Sequence, residues 1–240
     1  MKFALTGDWH YGFSKKTHGI IERFLQHLAK QDFDVLLLSG DIISHDQTQW
    51  EPVLRLLRTT FKDTAIYFVM GNHDYWTETC TQESFLAADA HRRELFRKHN
   101  IRHLEGEVGE VGGVQIFGFG GWYWSAEPPS NDVDFIPRNI GDLSFHDYLL
   151  HRAQESVDEI VSLLPYADKA VILTHFEMND HPMGAIGEWL DRFIAHRCKG
   201  KMVIACGHTH LRRNDDLGNG ISLVNAGGDY DNPSYRIIEL

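Results

Sequence analysis

The chain has 240 residues, of which 42% are hydrophobic and 24% are charged, a balance typical of a globular protein with a substantial core. Its formal net charge of −11 disfavours a protein that coats duplex nucleic acid with a basic face. We expect a single domain over residues 1–240, with an irregular loop insertion around 122–147.

The three cysteines are widely spaced and form no Cys-x-x-Cys motif, which is typical of a reduced, cytoplasmic protein. The sequence contains no apolar stretch of the length that a membrane span requires. The more unusual number is 15 histidines. Histidine is the commonest protein metal ligand, so the positions of these residues in the chain are informative.

The first half of the chain repeats one design, in which an apolar predicted strand is followed at once by polar side chains. These strands and the polar residues after them are 2–6 with Asp8 and His10, 35–39 with Asp41, and 65–70 with Asn72, His73 and Asp74. Residues two apart in an extended chain point to the same side, so Asp8 and His10 can reach one metal ion. Asp41 has a second interpretation as a helix cap.

Helical spacing of apolar residues predicts helices over 17–30, 49–61, 82–99, 148–164 and 186–196. Short alternating segments between 102 and 121 favour antiparallel strands. The irregular stretch that follows begins with Trp122. Its aromatic residues are interpreted either as a lip over a pocket or as a small hydrophobic cluster under a loop.

The second half of the chain repeats the design of the first. Predicted strand 170–174 ends at His175, and predicted strand 202–206 is followed by His208 and His210. Two further strands are predicted over 221–225 and 235–239. In proteins that alternate strands and helices, ligands collect beyond the carboxyl ends of the strands. We therefore expect the polar residues of all five junctions to converge on one site.

The motifs Asp-x-His, Gly-Asp, Gly-Asn-His-Asp, His and Gly-His-x-His, in this order, resemble the five blocks of the calcineurin-like metallophosphoesterase superfamily. They run from Asp8 to His210 and so span nearly the whole chain. The resemblance implies an α/β fold of four layers, in which two mixed β-sheets lie face to face and are flanked by helices. It implies a hydrolase that cleaves a phosphodiester or a phosphomonoester at a dinuclear metal centre.

The resemblance also implies roles for individual residues. Asp8, His10 and His210 would hold the first metal ion, Asn72, His175 and His208 the second, and Asp41 would bridge the two. A hydroxide between the ions would attack the phosphorus in line, and His73 would assist the leaving group. Nitrogen and oxygen ligands without cysteine suit manganese, which we expect, and also Fe, Zn, Ni or Co.

Several details stay open at the level of sequence. Asp74 either orients His73 or satisfies backbone amides. Tyr75, Trp76 and Trp122 are candidate substrate contacts, with core packing as the alternative. The substrate is expected to be a small phosphate ester; nucleic acid is not favoured by the net charge, and the oligomeric state is undetermined.

Two features separate the chain from the protein serine/threonine phosphatase branch of the superfamily and favour the bacterial or phage type of phosphoesterase. Ser44 and His45 stand where that branch has an Asp-Arg pair, and Asp74 stands where it has glutamate. The alternative functions are a non-catalytic scaffold of the same fold and a small DNA or RNA nuclease of the same superfamily.

Overall fold

The computed structural model describes residues 1–77, 79–120, 135–178 and 185–240, and of residues 185–187 only the backbone. Trp122 and the first half of the expected insertion, 122–134, lie outside these ranges. Within the described residues, no helix is both long enough and apolar enough to span a membrane.

The described chain forms thirteen strands and six α-helices. In chain order the strands are β1 (Lys2–Thr6), β2 (Val35–Leu38), β3 (Ala65–Phe68), β4 (Arg102–His103), β5 (Gly109–Val111), β6 (Val114–Phe119), β7 (Asn139–Ile140), β8 (Leu143–Ser144), β9 (Lys169–Thr174), β10 (Met202–Cys206), β11 (Arg213–Gly218), β12 (Ile221–Asn225) and β13 (Arg236–Glu239). The helices are α1 (Lys15–Leu28), α2 (Trp50–Thr60), α3 (Asn72–Tyr75), α4 (Gln82–Lys98), α5 (Phe145–Leu163) and α6 (Ala185–Ala195).

Two mixed sheets dominate the fold. The first has the order β13-β1-β2-β3-β4 and the second the order β11-β12-β10-β9-β6-β5. Strands β1 to β4 are parallel to one another, as are β6, β9, β10 and β12, whereas the edge strands β13, β11 and β5 are antiparallel to their neighbours. The parallel strands of each sheet therefore deliver their carboxyl ends to one edge.

The side chains of the central strands alternate between two cores. Phe3 of β1 packs with Val171 and Leu173 of β9 in the core between the sheets, whereas Ala4 and Ile172 join the cluster beneath the helices. Each strand is thus buried on both faces, which explains its nearly continuous apolar sequence. The predicted fold of two facing mixed sheets flanked by helices is confirmed.

The structure differs from the predicted elements in four places. The described half of the expected irregular insertion, 135–147, contains the antiparallel pair β7 and β8 and the start of α5. The segment 102–121 contains an antiparallel pair, β5 and β6, but β4 and β6 also join the two large sheets as parallel strands. Residues 72–75 form one helical turn, α3, where the sequence favoured a tight turn. Strand β11 was not predicted, because its sequence Arg-Asn-Asp-Asp-Leu-Gly carries little apolar character.

Candidate metal centre

The seven predicted metal ligands and His73 follow the carboxyl ends of five parallel strands. Three strands come from the first sheet (β1, β2 and β3) and two from the second (β9 and β10). The two groups meet through direct contacts: His175 Nδ1 lies 2.8 Å from the Ser39 carbonyl, and the His208 amide donates to Asp8 Oδ1 at 3.0 Å. The expected convergence of scattered strand ends is therefore present in the structure.

Glycine allows this close approach at Gly40, which has a φ of +90°. A Cβ atom at this position would lie 2.6 Å from the Gly71 nitrogen and 2.8 Å from His175 Nδ1. Both contacts are shorter than side chains tolerate, and the backbone conformation itself favours glycine. Any larger residue before Asp41 would therefore push the two sheets apart at the site.

Asp41 lies between the two predicted ligand groups. Its Oδ2 atom is 3.8 Å from His10 Nε2 and 3.5 Å from His175 Nε2, while Oδ1 accepts a hydrogen bond from the His73 amide at 2.9 Å. Two ligands of one transition-metal ion lie about 3–3.6 Å apart when each bond is about 2.0–2.2 Å. The Asp41 carboxylate therefore lies close to ligand atoms of both predicted groups.

The residues of the first predicted ligand group form a cluster that could hold a metal ion. Ligand atoms of Asp8, His10 and His210 all lie within 4.8 Å of one another. His210 Nε2 is 3.7 Å from Asp8 Oδ1, and the other ring nitrogen, Nδ1, lies 3.1 Å from Asp229. A carboxylate behind a ligating histidine fixes its tautomer and directs the second nitrogen toward the ion. Asp229 was not predicted as part of the site.

The second ligand group is built around His175. Its Nε2 atom lies 3.1 Å from the Asn72 side-chain oxygen, and its Nδ1 faces the Ser39 carbonyl. The His208 ring lies beside it, with 5.1 Å between the ring centroids. His73 is an alternative ligand by geometry, since it forms a compact group with His10 and Asp41.

The chemistry of these residues fits bound cations. His10 is buried, and neither of its ring nitrogens has a hydrogen-bond partner among the described residues. Burial raises the pKa of the Asp8 carboxyl well above its usual range and lowers the pKa values of His10 and His175. A cation held between carboxylate oxygens and neutral imidazole nitrogens compensates both the buried charge and the unpaired nitrogens.

His73 lies at the border of this cluster. Its ring centroid is 4.4 Å from that of His10 and 3.7 Å from that of Trp76, whose indole is only 8% exposed. Trp76 in turn stacks on Phe135 at 4.7 Å. Burial lowers the pKa of His73 to about 3, so its imidazole is neutral near pH 7.

Tyr75 and Asp74 pack behind the site. The buried Tyr75 hydroxyl donates to Glu105 at 2.5 Å, and Glu105 also accepts from Arg152 at 2.7 Å. The bond to Glu105 satisfies the Tyr75 hydroxyl within the protein, so no substrate is needed to explain its position, and it holds α3 in place. The Asp74 carboxylate accepts from the amides of Gly71, Ile42 and Ile43 at 2.9–3.1 Å. The geometry therefore favours the backbone role for Asp74.

A buried polar network lies behind His208 and His210. Glu177 accepts from the Thr209 hydroxyl at 2.7 Å, from Asn225 Nδ2 at 3.0 Å and from Arg213. Asn225 also donates to the Gly207 carbonyl at 2.8 Å. The sequence offered one signal for this network, because Asn225 ends β12 and is followed, after Ala226, by Gly-Gly-Asp, which resembles the glycine and aspartate residues of the ligand junctions.

Comparisons with known proteins agree with the geometry. A family model described as calcineurin-like phosphoesterase matches residues 1–212. A dimetal phosphatase structure from Danio rerio superimposes with a TM-score of 0.62 at 10% identity, over 100% of this chain and 92% of the other. A 5'-nucleotidase structure from Candida albicans superimposes with a TM-score of 0.53 at 14% identity. The match covers 96% of this chain and 46% of the nucleotidase chain. No curated protein sequence matches the chain.

The two structural neighbours support the fold, and the family match extends over most of the chain and includes all five ligand junctions. The chain therefore belongs to the calcineurin-like phosphoesterase family and is a metal-dependent phosphoester hydrolase.

Proposed function

We propose that the chain hydrolyses a small phosphate ester, a monoester or a diester, at a centre of two divalent metal ions. The observation that supports this most directly is the position of Asp41 Oδ2, 3.8 Å from His10 and 3.5 Å from His175. These histidines belong to different ligand groups, and a shared carboxylate can hold two ions close enough to act on one phosphate.

In this proposal each ion has three ligands of its own besides the bridging Asp41. The first set is Asp8, His10 and His210, and the second set is Asn72, His175 and His208. All donors are nitrogen or oxygen, which suits manganese, the metal that we propose, and is compatible with Fe, Zn, Ni or Co.

When bound, the two ions would supply positive charge for the phosphate and an activated water as nucleophile. The protein fixes the ligand orientations. The Ser39 carbonyl contacts Nδ1 of His175, and Asp229 contacts Nδ1 of His210, so that Nε2 of each ring faces the centre. Asp74 holds the loop after β2 to the loop after β3. These contacts keep the donors in place before substrate arrives.

His73 is proposed to assist the leaving group. Its Nδ1 atom is buried and has no hydrogen-bond partner in the described part of the chain, and its ring lies edge-on to His10. A hydrogen bond from this imidazole to the leaving oxygen would stabilise the charge that develops there. Trp76 supports the ring and remains a proposed substrate contact; Trp122 lies outside the described residues.

The test is manganese-dependent hydrolysis of p-nitrophenyl phosphate and of bis-p-nitrophenyl phosphate. We expect the wild-type protein to hydrolyse at least one of them and Asp41→Asn to lose both bound manganese and activity. Asp34→Asn is the matched control, because Asp34 is an exposed carboxylate at the opposite end of β2. The proposal is overturned if Asp41→Asn retains its manganese or keeps full activity. The faster ester assigns the enzyme as a phosphatase or a phosphodiesterase.

A further inference from the structure

Aromatic rings form a continuous series along one border of the metal centre. Tyr230 lies flat on His10, with 3.9 Å between ring centroids and 9° between ring planes. Phe13 packs against Tyr230 at 4.7 Å. One tyrosine ring therefore separates Phe13 from a proposed metal ligand, although neither aromatic residue belongs to a ligand motif.

Phe13 is exposed and yet held in place by its backbone. Its side chain is 57% exposed, while its amide donates to the His10 carbonyl at 2.9 Å and closes a turn directly after the ligand. Tyr11, inside this turn, bridges to Ile43 of the neighbouring loop. The ring is thus presented to solvent from an anchored segment.

Exposure alone carries no meaning, because single exposed apolar residues are common. Tyr166 is the other exposed aromatic residue in the described ranges, at 76%. It precedes β9, at the end of that strand opposite to His175. What distinguishes Phe13 is its contact with the ring that covers His10. Tyr166 therefore provides a matched control for an exposed aromatic ring remote from the site.

We infer that Phe13 and Tyr230 form the binding surface for a planar ring in the substrate. The substrate class is then phosphate esters that carry an aryl ring or a nucleobase near the phosphate. Aromatic rings pack favourably when their centroids lie about 4.5–7 Å apart. Because only the Tyr230 ring separates Phe13 from His10, a flat ring can pack on Phe13 while the phosphate of the same molecule lies at the centre. This inference rests on the proposed function and assigns its specificity to two residues outside the metal-ligand set.

A binding experiment tests the ring preference without turnover. Phenylphosphonate and methylphosphonate are titrated calorimetrically into the manganese-loaded protein. We expect phenylphosphonate to bind roughly tenfold more tightly, the size of one aromatic stacking interaction. Phe13→Ala should remove most of this difference, Phe13→Tyr should preserve it, and Tyr166→Ala should leave it unchanged. Equal affinities in the wild-type protein, or a preference that Phe13→Ala retains, would overturn the inference.

A kinetic experiment separates the two sources of a planar ring. A nucleoside 5'-monophosphate is compared with ribose 5-phosphate, which has the same leaving oxygen but no base. The aryl source is tested with benzyl phosphate against ethyl phosphate, which carries no ring. For the diester case, a nucleoside 2',3'-cyclic monophosphate is compared with glycerol 1,2-cyclic phosphate, which has the same cyclic diester but no ring. We expect Phe13→Ala to reduce kcat/KM roughly tenfold for the ring-bearing member of the active pair and less than about twofold for the other.

The outcomes keep the inference distinct from the proposed function. If metal-loaded wild-type protein hydrolyses none of the esters, the proposed function fails and the substrate assignment falls with it. If it hydrolyses them and Phe13→Ala reduces both members of a pair equally, the hydrolytic function stands and the ring-binding surface is refuted. Manganese content measured for each variant shows whether the centre itself was disturbed.

Discussion

Five proposed metal ligands adopt a backbone conformation that L-amino acids disfavour. Seven non-glycine residues in the described ranges have a positive φ, and five of them are Asp8, His10, Asp41, His208 and His210, at 45–67°. Such residues cost about 1–3 kcal/mol each and persist where the surrounding structure imposes them, although Asp and His tolerate the region better than most residues. The concentration of strain at the ligands indicates that the fold gives up stability to position these side chains.

His73 is the residue at which binding and catalysis can be separated. We expect His73→Gln to retain manganese and to lose roughly 10²–10⁴-fold in kcat, because a positioned imidazole contributes about that much to proton or hydrogen-bond transfer. The readouts are metal content and steady-state kinetics with the faster p-nitrophenyl ester. His151→Gln is the control, since His151 is an exposed histidine of α5. Loss of metal in His73→Gln would instead make His73 a ligand, as its proximity to His10 and Asp41 allows.

At the scale of elements, the turn after β10 depends on residues from two neighbouring strands. His208 and His210 both have positive φ, so their turn requires external support. Thr209, between them, is fixed by Glu177 after β9 and by Asn225 at the end of β12. This network acts through the histidines, and its members are positioning residues.

Thr209→Val tests the network. The substitution removes the hydroxyl that donates to Glu177 while preserving the shape of the side chain. We expect a roughly 10–100-fold loss of manganese affinity, the usual cost of removing a contact behind a metal ligand. Thr59→Val is the control, because Thr59 is an exposed residue of α2 whose hydroxyl donates to the Arg55 carbonyl of the same helix. A Thr209→Val protein that is destabilised but binds manganese normally would reduce the network to a structural role.

His103, in the short strand β4, is expected to make the free energy of unfolding depend on pH. Burial lowers the pKa of His103 to about 4, with the nearby Glu105 opposing the shift, against about 6.5 in an unfolded chain. Between these values the unfolded chain binds a proton that the folded one does not, so the free energy of unfolding falls as the pH falls from 6.5 to 4. The contribution of His103 is at most about 3 kcal/mol.

His103→Gln should flatten that dependence. Urea unfolding at a series of pH values is expected to show a shallower slope between pH 6.5 and 4 in the variant than in the wild-type protein. His91→Gln, a change of an exposed histidine on α4, should leave the slope unchanged. Parallel curves for wild type and His103→Gln would show that His103 titrates normally in the folded protein.

At the scale of the whole molecule, the sequence predicts the parts of the site that are encoded by strand ends. Asp8, Asp41 and His175 are recognisable because an apolar run stops at each of them. Asp229 and Tyr230 are not, since they reach the centre through a loop after β12 and by contacts with His210 and His10. Strand β11 was missed for a related reason: it is an edge strand whose pairing with β12, rather than its own apolar pattern, defines it.

Metal binding should stabilise the whole fold, because the centre joins loops from both sheets and exists only when the chain is folded. A ligand at one hundred times its Kd adds about 2.7 kcal/mol to the free energy of unfolding, which corresponds to a rise in Tm of roughly 5–10 °C for a chain of this size. We expect this rise when manganese is added to chelator-treated wild-type protein, measured by calorimetry. Asp41→Asn, which lacks the shared carboxylate, should lose most of it, and Asp34→Asn should keep it. An unchanged Tm at saturating manganese in the wild-type protein would contradict a metal centre that links the two sheets.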